Sequence, residues 1–156
     1  MNKKTIGVLS DTHGLLRDEV IEHLKKKRVS LILHAGDIDN GEVLVELEKV
    51  APVIAVRGNC DREGRVRSLP LTEMVDLGND TFVYLIHDIS QLDLIPQSMG
   101  LSMVIYGHSH NPSLEEKGNI YYLNPGSCGP KRFSLPISFA TIQLESNEMQ
   151  VEFIQL

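Results

Sequence analysis

The sequence predicts an α/β protein of two packed β-sheets with helices covering their outer faces. Residues 5–56 alternate short apolar runs with amphipathic stretches in a β-α-β-α-β order, which indicates a parallel sheet with right-handed crossovers. From residue 73 onward helical periodicity gives way to short strands separated by turns. A third observation joins fold to chemistry: side chains that ligate metals stand just beyond five apolar runs, including the first three strands. Open α/β sheets place their sites there, outside the carboxyl ends of strands.

Residues 5–10 read as a buried strand, closed by a polar turn through Gly14. Val20, Ile21 and Leu24 then recur at helical spacing and predict an amphipathic helix near 17–27. A strand over 30–34 breaks at Ala35-Gly36-Asp37, and a helix over 41–49 carries Val43, Leu44 and Leu47 on one side. Pro52 precedes a third strand at 53–56. Strands at 73–77 and 81–86 flank Gly78-Asn79-Asp80, the signature of a hairpin. A polar, partly helical stretch over 89–98 leads to a strand at 102–106, then short strands at 114–116, 120–123, 138–143 and 150–153. Asn147 is expected to help turn the last pair. Nothing marks a repeat, linker or boundary, so a single domain over 1–156 is expected.

With 42% hydrophobic and 23% charged residues, the composition is that of a globular protein with a real core. The first apolar run, 6–9, is too short to span a bilayer and lacks the features of a signal peptide. No membrane association is expected, and a cytoplasmic location is the default. Cys60 and Cys128 are too few for a disulfide framework and suit a reducing compartment. The formal charge is -6, part of which two bound divalent cations would offset. Basic stretches at 25–28 and 62–67 do not make a nucleic-acid footprint on an acidic chain, which argues against a nucleic-acid substrate. The oligomeric state is left open by the sequence, with a homodimer the commonest assembly among the alternatives.

The ligand-bearing fragments are Asp11-Thr12-His13, Gly36-Asp37, Gly58-Asn59-Cys60-Asp61, His87 and Gly107-His108-Ser109-His110. At an extended strand end, the two-residue spacing of Asp11 and His13 points both side chains to one side. A turn-capping aspartate beside a surface histidine accounts for that pair equally well. Gly36 permits close backbone approach, and the two oxygens of Asp37 can bridge two ions, although a lone Gly-Asp is usually a turn. His87 alone is also explained as a satisfied buried histidine. His108 and His110, paired in a polar loop, have little structural explanation besides ligation. His23 belongs to a helix face, and His34 lacks comparable support as a ligand.

As an ordered set these fragments resemble the signature of calcineurin-like metallophosphoesterases. Asn124-Pro125-Gly126-Ser127 resembles the small bacterial and archaeal phosphodiesterase branch. The resemblance implies a four-layer α/β/β/α sandwich of the metallo-dependent-phosphatase type, with two mixed β-sheets and a dinuclear site at the strand ends. Carried over by position, Asp11, His13, Asp37 and His110 would bind one divalent ion. Asp37, Asn59, His87 and His108 would bind the other, and Asp37, Asn59 and His108 are the implied catalytic residues. The implied reaction is hydrolysis of a small phosphoester, most simply a phosphodiester, by a hydroxide bridging the two metals. Mn²⁺ is the preferred ion, with Fe²⁺, Ni²⁺, Co²⁺ or Zn²⁺ open, since oxygen and imidazole donors accept them all. Ser109 lacks a base and is expected to be structural.

Two positions depart from the family pattern. Cys60 stands where many members carry a histidine that assists the leaving group, and packing or support of a neighbour is the simpler role. His87-Asp88 replaces the common His-Gly: Asp88 either points outward, accepts a hydrogen from a ligand, or repels phosphate. Asp61 is expected to orient a ligand or a neighbouring basic group. Arg17, Arg57 and Arg62 offer planar donors for phosphoryl oxygens, with a surface role at least as good for Arg17. The turn at 124–127 suits a loop brace or a substrate contact. Cys60, Asp88 and the lack of a long recognition insertion leave a second function open, a metallated binding or scaffold protein with weak or no hydrolysis.

Overall fold

The computed structural model describes residues 3–146 and 148–156. Its elements are β1 (Lys3–Leu9), α1 (Asp18–Lys26), β2 (Leu31–His34), α2 (Glu42–Glu48), β3 (Val53–Ala55) and α3 (Gly64–Arg67), followed by β4 (Thr72–Gly78), β5 (Thr81–Ile86), β6 (Met103–Ile105), β7 (Ser113–Lys117), β8 (Ile120–Asn124), β9 (Ser138–Glu145) and β10 (Glu148–Gln155). They form two five-stranded sheets, ordered β10-β9-β1-β2-β3 and β4-β5-β6-β8-β7. β1, β2 and β3 are parallel as expected, and so are β5, β6 and β8; antiparallel strands complete both sheets. The fold class is therefore the predicted one, an α/β sandwich with two mixed sheets.

Side-chain alternation builds the layers. Ile6 and Val8 of β1 face Val83 and Leu85 of β5 and Met103 and Ile105 of β6 in a core between the sheets. Leu9, one residue beyond Val8, points to the opposite face and packs with Val20 and Leu24 of α1 and Leu44 and Leu47 of α2. Acidic Asp18 and Glu19 open α1, and Lys25 and Lys26 close it, as the helix dipole favours. Over the second sheet, Tyr84, Ile86 and Val104 pack under Ile89, Leu92 and Leu94. The polar stretch there forms two 3₁₀ turns, Ile89–Gln91 and Pro96–Met99, so this fourth layer contains no α-helix.

Asn79 and Asp80, with φ of 55° and 57°, make the left-handed corner that a two-residue hairpin needs. Strand β7 turns into β8 the same way, through Gly118 and Asn119 at φ 57° and 65°. The short helix α3 has no counterpart in the periodicity, because four residues are too few to establish one. Strands β9 and β10 return to the first sheet, with β9 beside β1. The expected role of Asn147 in their turn lies outside the described residues.

Gly7 lets α1 sit directly on β1, since an added Cβ would come 2.7 Å from Leu24 Cδ2. Gly7→Ala should destabilise the fold by roughly 1–3 kcal/mol through overpacking, and Leu24→Ala by roughly 2–5 kcal/mol through a cavity. In denaturant titrations the double variant should lose less than the sum, because the new methyl occupies part of the void.

Candidate metal centre

The parallel ladder continues past its strands into two loops. Asp11 N–H donates to Gly36 O, His13 N–H to Asp37 O and Gly14 N–H to Ile38 O, at 2.8–2.9 Å. Asp11 and His13 therefore converge, but not by the strand alternation expected of them. Both have left-handed backbones, with φ of 55° and 46°, and Asp37, His108 and His110 share that region at 58°, 73° and 64°. Such angles are uncommon outside glycine and cluster where a site dictates the backbone.

Glycines give these loops room. A Cβ on Gly58 would collide with Asp37 Oδ1, and one on Gly107 with Ser10 Oγ. Gly36, at φ 104°, packs against the His87 ring and the Gly58 backbone.

One carboxylate secures two of the loops. Asp61 Oδ1 accepts from the backbone N–H groups of Ile38 and Asp39, both at 2.8 Å, and Oδ2 from those of Asp37 and Gly58, at 3.0 and 2.8 Å. Asp61 thus orients the backbone that carries Asp37 rather than a ligand side chain or a basic group. The other loops are braced from the 124–127 turn. Asn124 Nδ2 donates to Gly107 O and Ser109 Oγ, and Ser127 Oγ donates to Asp11 O. Ser109 is structural, as expected, and this turn acts as a brace.

The donor atoms meet at the centre. Asp11 Oδ1 lies 3.4 Å from His110 Nε2, 3.7 Å from His13 Nε2 and 3.9 Å from His87 Nε2. Asp37 Oδ2 lies 3.1 Å from His87 Nε2 and 3.8 Å from His13 Nε2. Two donor groups result, Asp11/His13/His110 and Asp37/His87/His108, each with its ligand atoms within 4.8 Å of one another. His13, Asp37 and Cys60 make a third such group, which places the Cys60 thiol beside the donors. Asn59 stands at the rim with its Nδ2 turned 3.6 Å from Cys60 Sγ.

This donor set fits divalent cations. His87 Nδ1 donates to Ala35 O at 2.8 Å, and His13 Nδ1 to Asp39 Oδ2 at 3.1 Å, so the Nε2 atoms face inward. His13 Nε2 and His110 Nε2 lie only 3.3 Å apart, and His87 Nε2 lies 3.3 Å from His108 Nδ1. Asp11 Oδ1 and His110 Nδ1 are buried without a hydrogen bond among the described residues. Lone pairs this close to one another and to carboxylates call for positive charge between them, either protons or metal ions. Burial opposes charge on His87, but the adjoining Asp37 and Asp11 carboxylates raise its pKa. Burial likewise opposes ionisation of Asp37, yet His87 and the Cys60 N–H hold it down to about 2. Asp11 is also lowered: burial works against ionisation, and the His110 and Ser10 groups beside it prevail.

The remaining candidates separate clearly. Arg17 donates to Gly129 O, tying the start of α1 to the loop after Ser127 rather than to the donors. Arg57 and Arg62 line a cleft beside Asn59, His87 and His108. Asp88 also lines it, but its Oδ1 accepts from Ser90 N and Oγ at 3.0 and 2.7 Å, capping a 3₁₀ turn. His23 lies edge-on to Phe139, away from the donors. Asp39 and Ala35 O, which orient ligand imidazoles, gave no sequence signal, since neither is distinguishable from an ordinary turn residue.

A family model of the calcineurin-like phosphoesterase superfamily domain matches residues 5–147. The chain belongs to that superfamily. A probable metallophosphoesterase of Methanothermobacter thermautotrophicus is 33% identical over 96% of this chain and 91% of its own length. The solved structure of an archaeal phosphodiesterase superposes with a TM-score of 0.82 at 26% identity, covering 97% of this chain and 99% of that one. Vacuolar protein sorting 29 of Cryptosporidium parvum shares the fold alone, with a TM-score of 0.77 at 17% identity over 99% of this chain and 98% of that one. Among the described residues no helix is long and apolar enough to cross a membrane.

His34 supplies a pH test. Gly36 N–H donates to its Nδ1, so Nε2 carries the proton toward Thr12 Oγ1, and full burial lowers its pKa from 6.5 to about 4. Below pH 6.5 the unfolded chain takes up a proton that the folded chain refuses. Metal-free protein should therefore lose on the order of 3 kcal/mol as pH falls from 6.5 toward 4. His87 acts at and above pH 6.5 in the opposite sense, and the lowered Asp11 and Asp37 carboxylates act below about pH 5, so the upper part of this window reports His34. His34→Gln should flatten the slope of unfolding free energy against pH across it. Asp61→Asn, which cannot accept from all four N–H groups, should cost on the order of 3 kcal/mol. Elemental analysis of that variant should show reduced metal content.

Proposed function

We propose that the chain is a metal-dependent phosphodiesterase that hydrolyses a small phosphoester. The observation that carries this reading is the convergence of two donor groups, Asp11/His13/His110 and Asp37/His87/His108, beside an open cleft. Asp11, His13, Asp37 and His110 would hold one divalent ion, and Asp37, Asn59, His87 and His108 the other, with Mn²⁺ preferred. Such a pair of ions supplies an activated water at neutral pH and counters the charge that develops on the phosphoryl oxygens.

The chain's own residues prepare that chemistry. Ala35 O and Asp39 fix the tautomers of His87 and His13, so that each presents Nε2 to the centre. The Cys60 N–H fixes Asp37 Oδ1, leaving Oδ2 toward the imidazoles. Asn59 and His108 line the cleft and would meet the phosphoester there. Asn59 adds a neutral donor and so limits negative charge where an anion must approach. Support for a diester rather than a monoester comes from the related archaeal phosphodiesterase. The two free thiols suit a cytoplasmic setting. Asp88, one ground for a binding protein without hydrolysis, is committed to Ser90.

A panel of phosphomonoesters and phosphodiesters should be run with Mn²⁺, Fe²⁺, Ni²⁺, Co²⁺ and Zn²⁺ in turn, with metal content measured on each sample. Diester turnover should require bound metal and disappear with a chelator. Asp37→Asn should lower turnover by about a hundredfold or more, together with metal stoichiometry. Fully loaded protein that is inert across the panel would refute the proposal.

A further inference from the structure

The cleft beside the donor cluster has a volume of about 800 Å³, ample for more than a phosphoryl group. Arg57, Arg62 and Arg67 line it, together with the apolar surfaces of Leu71, Tyr84 and Ile86. Arg57 donates to Arg67 O and Arg62 Nε to Asn59 O, leaving most of their N–H groups uncommitted. Among the described residues the lysine and arginine ion pairs involve other side chains, including the Arg65–Glu48 pair. Three unpaired guanidiniums thus share one cleft.

The acids of the cleft are less free. Asp61 is saturated by four backbone N–H groups, and Asp88 is taken by Ser90. Among the described residues Asp93 is left as the one carboxylate of the cleft without a committed partner. A chain of formal charge -6 repels anions as a whole, so an attractive grouping here has to act at short range. Guanidinium forks match phosphate and carboxylate oxygens, while Tyr84, Ile86 and the exposed Leu71 offer contact to an apolar or flat body.

We infer that the cleft receives one ester arm of the substrate, and that this arm carries a second anionic group on an apolar or aromatic body. The inference rests on the proposed function, which puts the scissile phosphate at the donor cluster, and it adds the substrate class. A neutral alcohol arm gives the three guanidiniums no charge to pair with beyond the scissile phosphate itself.

The test compares thymidine 5′-monophosphate with thymidine 3′,5′-bisphosphate, two ligands that differ by one phosphate. Calorimetric titration of Mn²⁺-loaded protein should show the bisphosphate binding at least tenfold more tightly. Arg67→Met should bring the two within about threefold, while Arg67→Lys should keep part of the preference. Arg67 is exposed and only its backbone carbonyl supports Arg57, so the substitution leaves that contact in place. Equal binding of the two ligands, or a preference that survives Arg67→Met, would overturn the inference. Hydrolysis of bis(4-nitrophenyl) phosphate is assayed alongside. Turnover without the bisphosphate preference defeats the cleft assignment alone. An Arg67-dependent preference without turnover upholds the assignment and defeats hydrolysis.

Discussion

The centre depends on the Asp61 carboxylate. Its two oxygens accept four backbone N–H groups from the loops after β2 and β3, so strand ends from neighbouring chain segments share one anchor. Asp37 sits between Asp61 below and the imidazoles above, its N–H given to one and its Oδ2 facing the others. A buried carboxylate used this way fixes main chain, and the ligand side chains inherit their positions from it. The parallel ladder supplies the second constraint by keeping the Asp11 loop in step with the Asp37 loop.

The two sheets then divide the labour. The first contributes Asp11, His13 and Asp37 from its strand ends, and the second contributes His87, His108 and His110 from the loops after β5 and β6. Asp11/His13/His110 and Asp37/His87/His108 each draw on both sheets, whereas His13/Asp37/Cys60 comes from the first alone. The centre is thus built across the same interface that buries Val8 against Leu85 and Ile105. Packing between the sheets sets the separation of the ligands.

Much of this was legible in the sequence. Periodicity located α1, α2 and the three parallel strands of the first sheet, Gly78-Asn79-Asp80 located a hairpin, and the order of ligand fragments located the centre. What stayed hidden was non-local. Nothing near β9 or β10 in the chain announces that they complete the first sheet beside β1. Asp88 stayed open between pointing outward, bonding a ligand and repelling phosphate, because its partner, Ser90, is an ordinary polar residue. Asp11 and His13 were correctly paired for the wrong reason: alternation explains strands, whereas these residues have left the strand. Arg67 entered only as the end of the basic stretch 62–67, and the tertiary fold is what brings it to the cleft with Arg57 and Arg62.

The left-handed backbones of Asp11, His13, Asp37, His108 and His110 set this chain's folding requirements against its chemistry. Each non-glycine residue held there costs about 1 kcal/mol that glycine would avoid. Glycine at Asp11 or Asp37 would relieve the bend but leave the His108 and Cys60 N–H groups without the carboxylate oxygens that now accept from them. Aspartate and histidine at five bends where glycine is the easier residue mark positions whose identity the strands and their packing do not require.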